Sequence, residues 1–343
     1  MPNRLEPNAF FWPRYRPEDA PFAFRATTPA AARTWRTRTR RALATTLGWQ
    51  DAARGAVRGR RLERVDRGDH VREKYLLRVT PTTDLPVYLL LPKGIAKPPV
   101  VLAYNGHGYG VKDVVGLWED GSERTTEDGY HRDFAVTLCR RGFAVAAPEI
   151  ACFGERRNDY SGLTADITPT SCHHSATLAM HLGGTVLGLR VLESRRLVDW
   201  LVGQRQLDAR RLGVMGISGG GMLSLFHAAL DERIRAAVIS GYLCDWRASI
   251  LGVVHCTCNF VPGLGRFGDA ADIAGLIAPR ALLAESGDRD TIFPINDVRR
   301  AMARTRRIYA SSGAAEGASL AAFHGRHRID GVRAYPFLEQ ALA

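Results

Sequence analysis

The feature that most constrains this chain is a regular alternation, from residue 100 to the end, of short apolar runs with segments of helical length. Val100–Tyr104, Phe143–Ala147, Leu212–Ile217, Ala236–Ser240, Ala281–Glu285 and Ser319–Phe323 read as strands. Between and after them the spacing predicts helices at about 131–141, 183–203, 220–230, 295–309 and 331–342. Strands that alternate with helices imply a mostly parallel twisted sheet covered on both faces. Residues 72–80 and 86–91 add an antiparallel pair around a turn at Thr82–Leu85, giving about eight strands and an α/β fold class. In such sheets a site lies beyond the carboxyl ends of the strands.

Residues 1–70 read as an N-terminal helical extension packed on a main domain of 71–343. Thr28-Pro29 is an N-cap followed by proline at the first helical position, and Gly48 is the stop. Trp35, Ala42, Leu43 and Leu47 share one face, which predicts a helix docked through Trp35. The formal charge is +12, with 43 arginines and only four lysines, and residues 1–73 hold 16 arginines against eight acids. A basic patch of this size can attract nucleic acid or an anionic membrane. The region has no nucleic-acid motif and no regular aromatic interleaving, so an arginine-rich surface is expected, with neither nucleic acid nor membrane as partner. No apolar stretch approaches the ~18 residues of a membrane span. The N-terminus lacks the basic start and apolar run of a secretory signal, so a cytoplasmic location is expected. In that setting the six cysteines are expected to be free thiols. The runs His255-Cys256-Thr257-Cys258 and Cys172-His173-His174 invite a zinc reading, but their spacing is not one of the usual structural patterns. No metal and no cofactor are expected.

Gly216-Ile217-Ser218-Gly219-Gly220 matches G-x-S-x-G. The pattern alone is weak, and its setting strengthens it. An apolar strand runs into it and a small-residue helix start, Gly219-Gly220-Gly221-Met222, runs out of it, as a nucleophile elbow requires. A serine on so sharp a turn needs small neighbours two positions away, which Gly216 and Gly220 supply. Its hydroxyl needs a base, and the base needs a group to orient it. In the order Ser…Asp…His the acid follows a later strand and the histidine the last one. Asp290, in Gly287-Asp288-Arg289-Asp290-Thr291-Ile292-Phe293-Pro294, is the preferred acid, with Asp288 assigned to the turn and Asp245 as a distant third. His327 is the preferred base over His324, because Gly325 lets the chain turn back over the sheet. Two backbone N–H groups are needed for a developing oxyanion. Gly219 and, in the loop Asn105-Gly106-His107-Gly108, His107 occupy those positions.

With these residues in place, the chain from about residue 30 onward resembles bacterial α/β-hydrolases related to acetyl xylan esterases and dienelactone-hydrolase-like proteins. The resemblance rests on NGHG at 105–108, PEIACFGERR at 148–157, GISGGGMLSL at 216–225, FVPGLGRFGDAADIAGLIAPRALL at 260–283 and SGDRDTIFP at 286–294. It implies the α/β-hydrolase fold and a Ser218, Asp290, His327 triad that hydrolyses carboxylic esters through an acyl-enzyme. Dienelactone hydrolases proper carry cysteine as nucleophile, so serine here argues against that activity. Arg326 stands where a second glycine often precedes the triad histidine, which predicts a more polar entrance. Two long connections, 149–180 and 241–276, are expected to act as lids. Arg156, Arg157, His173, His174, Trp246 and His255 are their candidate substrate contacts, and Glu149 and Glu155 are expected to pair with nearby arginines. The expected partner is a small-molecule ester, short-chain and acetyl-like, of a sugar or other alcohol, with homo-oligomerisation left open. A peptidase or amidase using the same triad, and a non-catalytic hydrolase-like binding protein, are the competing readings.

Overall fold

The computed structural model describes residues 4–49, 52–160 and 170–343. One sheet of nine strands organises it, in the order β1-β2-β3-β5-β4-β6-β7-β8-β9. In chain order these are β1 (Arg58–Asp66), β2 (His70–Arg78), β3 (Asp84–Pro92), β4 (Pro99–Tyr104), β5 (Ala144–Pro148), β6 (Asp208–Ile217), β7 (Ile234–Ser240), β8 (Ala281–Gly287) and β9 (Ala318–Phe323). Strands β1 to β3 pair antiparallel and β3 meets β5 antiparallel. All pairings from β5 through β4 to β9 are parallel. Residues 100–104 of β4 are wholly buried because helices cover both faces of the sheet, and that is why this strand is apolar throughout.

Two expectations are corrected here. The sheet has nine strands, not about eight, and the boundary at residue 71 falls inside β2, because β1 precedes it within the supposed helical extension. The sequence RGRRLERVD of β1 shows no apolar alternation, since nearly every residue of this edge strand faces solvent. Backbone pairing with β2 and ion pairs such as Arg61 to Glu73 at 2.8 Å hold it. Charge on an exposed edge also discourages pairing with another chain.

The helix Pro29–Leu47 is capped by the Thr28 hydroxyl, which accepts the Ala31 N–H, and ends at Gly48 with φ +82°. It docks as its pattern predicts: Trp35, Leu43 and Leu47 are buried, and the Trp35 indole donates to the Phe22 carbonyl at 2.8 Å. The connection 149–180 is not wholly irregular, because Ser171–His181 forms a helix; its residues 161–169 lie outside the described set. The connection 241–276 carries short 3₁₀ turns and the helix Ala270–Gly275, which a reciprocal Asp269/Asp272 capping box starts.

In-register parallel pairing brings the strand ends together. Tyr104 lies opposite Gly216, Ile217 opposite Ser240, Ser240 opposite Glu285, and Gly287 opposite Phe323. The loops after β4, β6, β8 and β9 therefore open on one edge of the sheet.

Candidate active site

Ser218 stands between β6 and the helix Gly219–Leu230, with φ +58° and ψ −119°, a conformation that L-residues rarely adopt. The surroundings enforce it. A Cβ on Gly220 would lie 2.0 Å from the Tyr104 carbonyl oxygen, and one on Gly216 would lie 2.4 Å from the Gly220 carbonyl oxygen. The Ser218 N–H donates to the Ser240 carbonyl at 3.0 Å, which fixes the turn against β7.

His327 and Asp290 meet across the loops after β9 and β8. Nδ1 of His327 is 2.6 Å from Oδ2 of Asp290. The other carboxylate oxygen, Oδ1, accepts the N–H groups of Ile292 at 2.9 Å and Phe293 at 3.1 Å, so the carboxylate cannot rotate away. Nε2 of His327 is buried and has no protein partner among the described residues. Phe293 stacks on the imidazole at 5.7 Å between centroids. At the end of β7, Gly241 has φ +51°, and a Cβ there would sit 2.6 Å from Cε1 of His327. Behind this arrangement, Glu285 accepts from the Ser240 hydroxyl at 2.9 Å and from the Gly331 N–H at 2.7 Å, tying the loop after His327 to the sheet. The alternative pair, Asp288 and His324, is also joined, at 3.0 Å, but both residues are exposed, and Asp288 additionally accepts the Gly325 N–H at 3.0 Å. Asp288 therefore ties the loop after β8 to the loop after β9, instead of serving its own turn as expected.

A cavity of about 550 Å³ is lined by Ser218, Gly219, His107, Tyr130, Phe293 and His327, among others. It adjoins an outer chamber of about 990 Å³ that shares His107, His255 and Cys256 with it and adds Arg157, Asn158, Tyr160 and His173. Two residues that the sequence did not single out shape the loop at His107. His131 is buried, and its Nε2 accepts the Gly106 N–H at 2.9 Å. Burial, aided by Arg124, holds its imidazole down to about 3, so the ring stays neutral and can accept. Tyr130 sits beside Ser218 and donates its hydroxyl to the His107 carbonyl at 2.6 Å. Burial raises its pKa and keeps that donor protonated. Nothing local in the sequence marks either role; both depend on the approach of the segment before the helix Phe134–Arg140 to the β4 loop.

The predicted substrate contacts divide. His255 lines both chambers and His173 lines the outer one. Arg157 lines the outer chamber, whereas Arg156 is corrected to a structural ion pair, bonded to both carboxylate oxygens of Glu193 at 2.7 and 2.5 Å. Trp246 is corrected to a core residue, buried beside Tyr242, with its backbone N–H donated to Asp269 Oδ1. His174 is exposed near Tyr160 and lines neither chamber. Glu155 pairs with Lys74 and the Glu149 carboxylate accepts the Val111 N–H; Arg156 reaches only the backbone carbonyl of Glu149, at 3.3 Å, so among the described residues neither carboxylate pairs with the neighbouring arginines as expected.

The expectation of no metal rested on the spacing of these residues in the sequence. The fold brings His107, Cys172, Cys256 and Cys258 together from three separate segments, with their ligand atoms all within 4.8 Å of one another.

Fold and strand-end geometry together define the α/β-hydrolase class. Residues 16–309 match the Abhydrolase family, and the chain belongs to it. Among curated proteins it is similar to "Putative hydrolase YtaP" of Bacillus subtilis (strain 168), 27% identical over 259 residues that cover 73% of this chain and 80% of that protein. Solved structures with the same fold include a "putative acetyl xylan esterase" from Bacteroides fragilis NCTC 9343, with TM-score 0.75, 19% identity, and coverage of 94% of this chain and 83% of that one. A glucuronoyl esterase from Solibacter usitatus superposes with TM-score 0.65 at 14% identity, covering 90% and 92%. Acetyl Xylan Esterase 1 from Thermoanaerobacterium sp. JW/SL YS485 superposes with TM-score 0.60 at 17% identity, covering 90% and 94%.

Proposed function

We propose that this protein is a serine carboxylic-ester hydrolase acting on short-chain, acetyl-like esters of a sugar or other small alcohol. The observation that supports the reading is one cavity lined both by Ser218, on its strained turn, and by His327, whose Nδ1 is bonded to Asp290. With Asp290 on Nδ1, the imidazole carries its proton there and presents Nε2 as the base. Ser218 Oγ attacks the ester carbonyl carbon while Nε2 takes the hydroxyl proton. The developing oxyanion is met by the N–H groups of Gly219 and His107. Collapse of the tetrahedral intermediate breaks the bond to the alcohol, which leaves with the proton from Nε2. Water then attacks the acyl-enzyme with the same base, releasing the acid and restoring Ser218.

Chamber chemistry supports the substrate class. The outer chamber offers Arg157, Asn158, Tyr160 and His173, side chains suited to a hydroxyl-rich leaving group. The inner cavity of about 550 Å³ is walled by Tyr242, Phe293 and the glycine-rich loop at His107, which favours a small acyl group. The esterase names of the structural neighbours agree with this chemistry. Ser218→Ala is the test: it should retain the fold by circular dichroism and lose hydrolysis of p-nitrophenyl acetate and of acetylated sugars. Full turnover by the variant would remove Ser218 as nucleophile.

A further inference from the structure

The inner and outer chambers meet at a cluster of sulfurs that the proposed ester chemistry does not use. Cys172 lies in the first turn of the helix Ser171–His181, Cys256 and Cys258 lie in the connection 241–276, and the His107 ring projects from the loop after β4. The ligand atoms of these four residues lie within 4.8 Å of one another. A tetrahedral zinc with Zn–S bonds of about 2.3 Å sets its sulfurs about 3.8 Å apart, so closing the cluster onto an ion asks for shifts of about 1 Å. Cys172 and Cys258 are buried and Cys256 is half-buried. Phe153 packs edge-on against the imidazole of His107 at 4.9 Å, which steadies that ring.

An independent observation concerns charge. Arg190 is fully buried beside the cluster, with Nη2 donating to the Ala151 carbonyl at 2.7 Å and lying 3.8 Å from Sγ of Cys172. Glu193, one turn on in the same helix, is engaged by Arg156. Nη1 of the Arg190 guanidinium is buried with no hydrogen-bond partner among the described residues. A buried guanidinium needs a counter-charge. Three thiolates and a neutral imidazole around a divalent ion carry one net negative charge, which Arg190 neutralises. Thiolate sulfur with one imidazole selects a soft or borderline ion, and four protein ligands leave no open position.

We infer that His107, Cys172, Cys256 and Cys258 form a closed tetrahedral site for zinc. The site joins the loop after β4 to both long connections at the mouth of the pocket. It therefore clamps the walls of the two chambers and steadies the His107 backbone, without taking part in the bond-making steps at Ser218. Because metal content is read directly, its test is independent of whether the ester reading holds.

The full chain, expressed with zinc in the medium and purified without chelator, should carry about one zinc per chain by elemental analysis, as a four-ligand site predicts. Ser218→Ala should carry the same amount. Cys256→Ser and Cys258→Ser should each lose most of it. Should these variants fail to fold, the wild-type protein decides: modifying its thiols should release the zinc to a chromophoric chelator, and reduced metal-free protein should take zinc back in equal ratio. Zinc well below one per chain that the reduced protein does not rebind would overturn the inference. So would a stoichiometry indifferent to both cysteine substitutions in folded variants, or recovery of these thiols as disulfides in freshly isolated protein.

Discussion

Replacing Asp290 with asparagine should reverse the imidazole's tautomer, and the structure shows why. Oδ1 of Asp290 already accepts two backbone N–H groups, from Ile292 and Phe293, so the asparagine carbonyl oxygen will occupy that position. Its NH₂ group must then take the place of Oδ2, 2.6 Å from His327 Nδ1. A donor facing Nδ1 forces that nitrogen to accept, which moves the ring proton to Nε2. The side that should take a proton from Ser218 then holds one. In a Ser-His-Asp enzyme this change costs about 10⁴ in kcat, or about 5.5 kcal/mol of transition-state stabilisation. Asp288→Asn is the control. It keeps the oxygen that accepts the Gly325 N–H and disturbs only the exposed contact with His324, so turnover should stay near wild type. The assay is kcat and kcat/KM for p-nitrophenyl acetate, with thermal unfolding to confirm that both variants fold. Equal losses in the two variants would undo the assignment of Asp290, and a larger loss in Asp288→Asn would move the acid to Asp288.

Three further outcomes follow from the geometry. His131→Ala frees the Gly106 N–H from its acceptor, so kcat should fall by about tenfold to a hundredfold with KM little changed, less than the loss of an oxyanion donor outright; steady-state kinetics check it. The same residue should make the fold acid-sensitive: its imidazole, held at about 3 when folded against an ordinary 6.5, binds fewer protons than in the unfolded chain, so its contribution to stability drains away as pH falls from about 6.5 towards 3, and urea unfolding across that window should show a smaller slope in the alanine variant. Along p-nitrophenyl esters of two to twelve carbons, kcat/KM should be highest for acetyl or propionyl, because a hydrophobic pocket alone discriminates by only about 1–3 kcal/mol per methylene and the preference must come from steric closure of the inner cavity; a maximum at eight carbons or beyond would contradict the deacetylase reading.

What could be read from the sequence tracks how local each cause is. Ser218 is legible because the strained turn imposes its requirement on residues two positions away, and Gly216 and Gly220 record it in one pentapeptide. Asp290 and His327 are legible from strand order, since each follows the end of a strand that apolar content already marks. Strand β1 is invisible because an exposed edge strand buries almost nothing and so leaves no apolar period. Arg156 and Arg157 look equivalent in sequence, and only the distant Glu193 decides that the first turns inward while the second lines the outer chamber. Tyr130 and His131 act through contacts to a loop some 25 residues away, and the cysteine–histidine cluster draws on three segments, so no spacing along the chain could announce either.

An activated nucleophile at Ser218 should be open to covalent capture. The wild-type protein treated with a fluorophosphonate should gain one adduct per chain by intact mass, and peptide mapping should place it on Ser218. Asp290→Asn should label much more slowly, and Ser218→Ala not at all. Failure of the folded wild-type protein to label, or an adduct mapped to a cysteine or to another serine, would contradict the account.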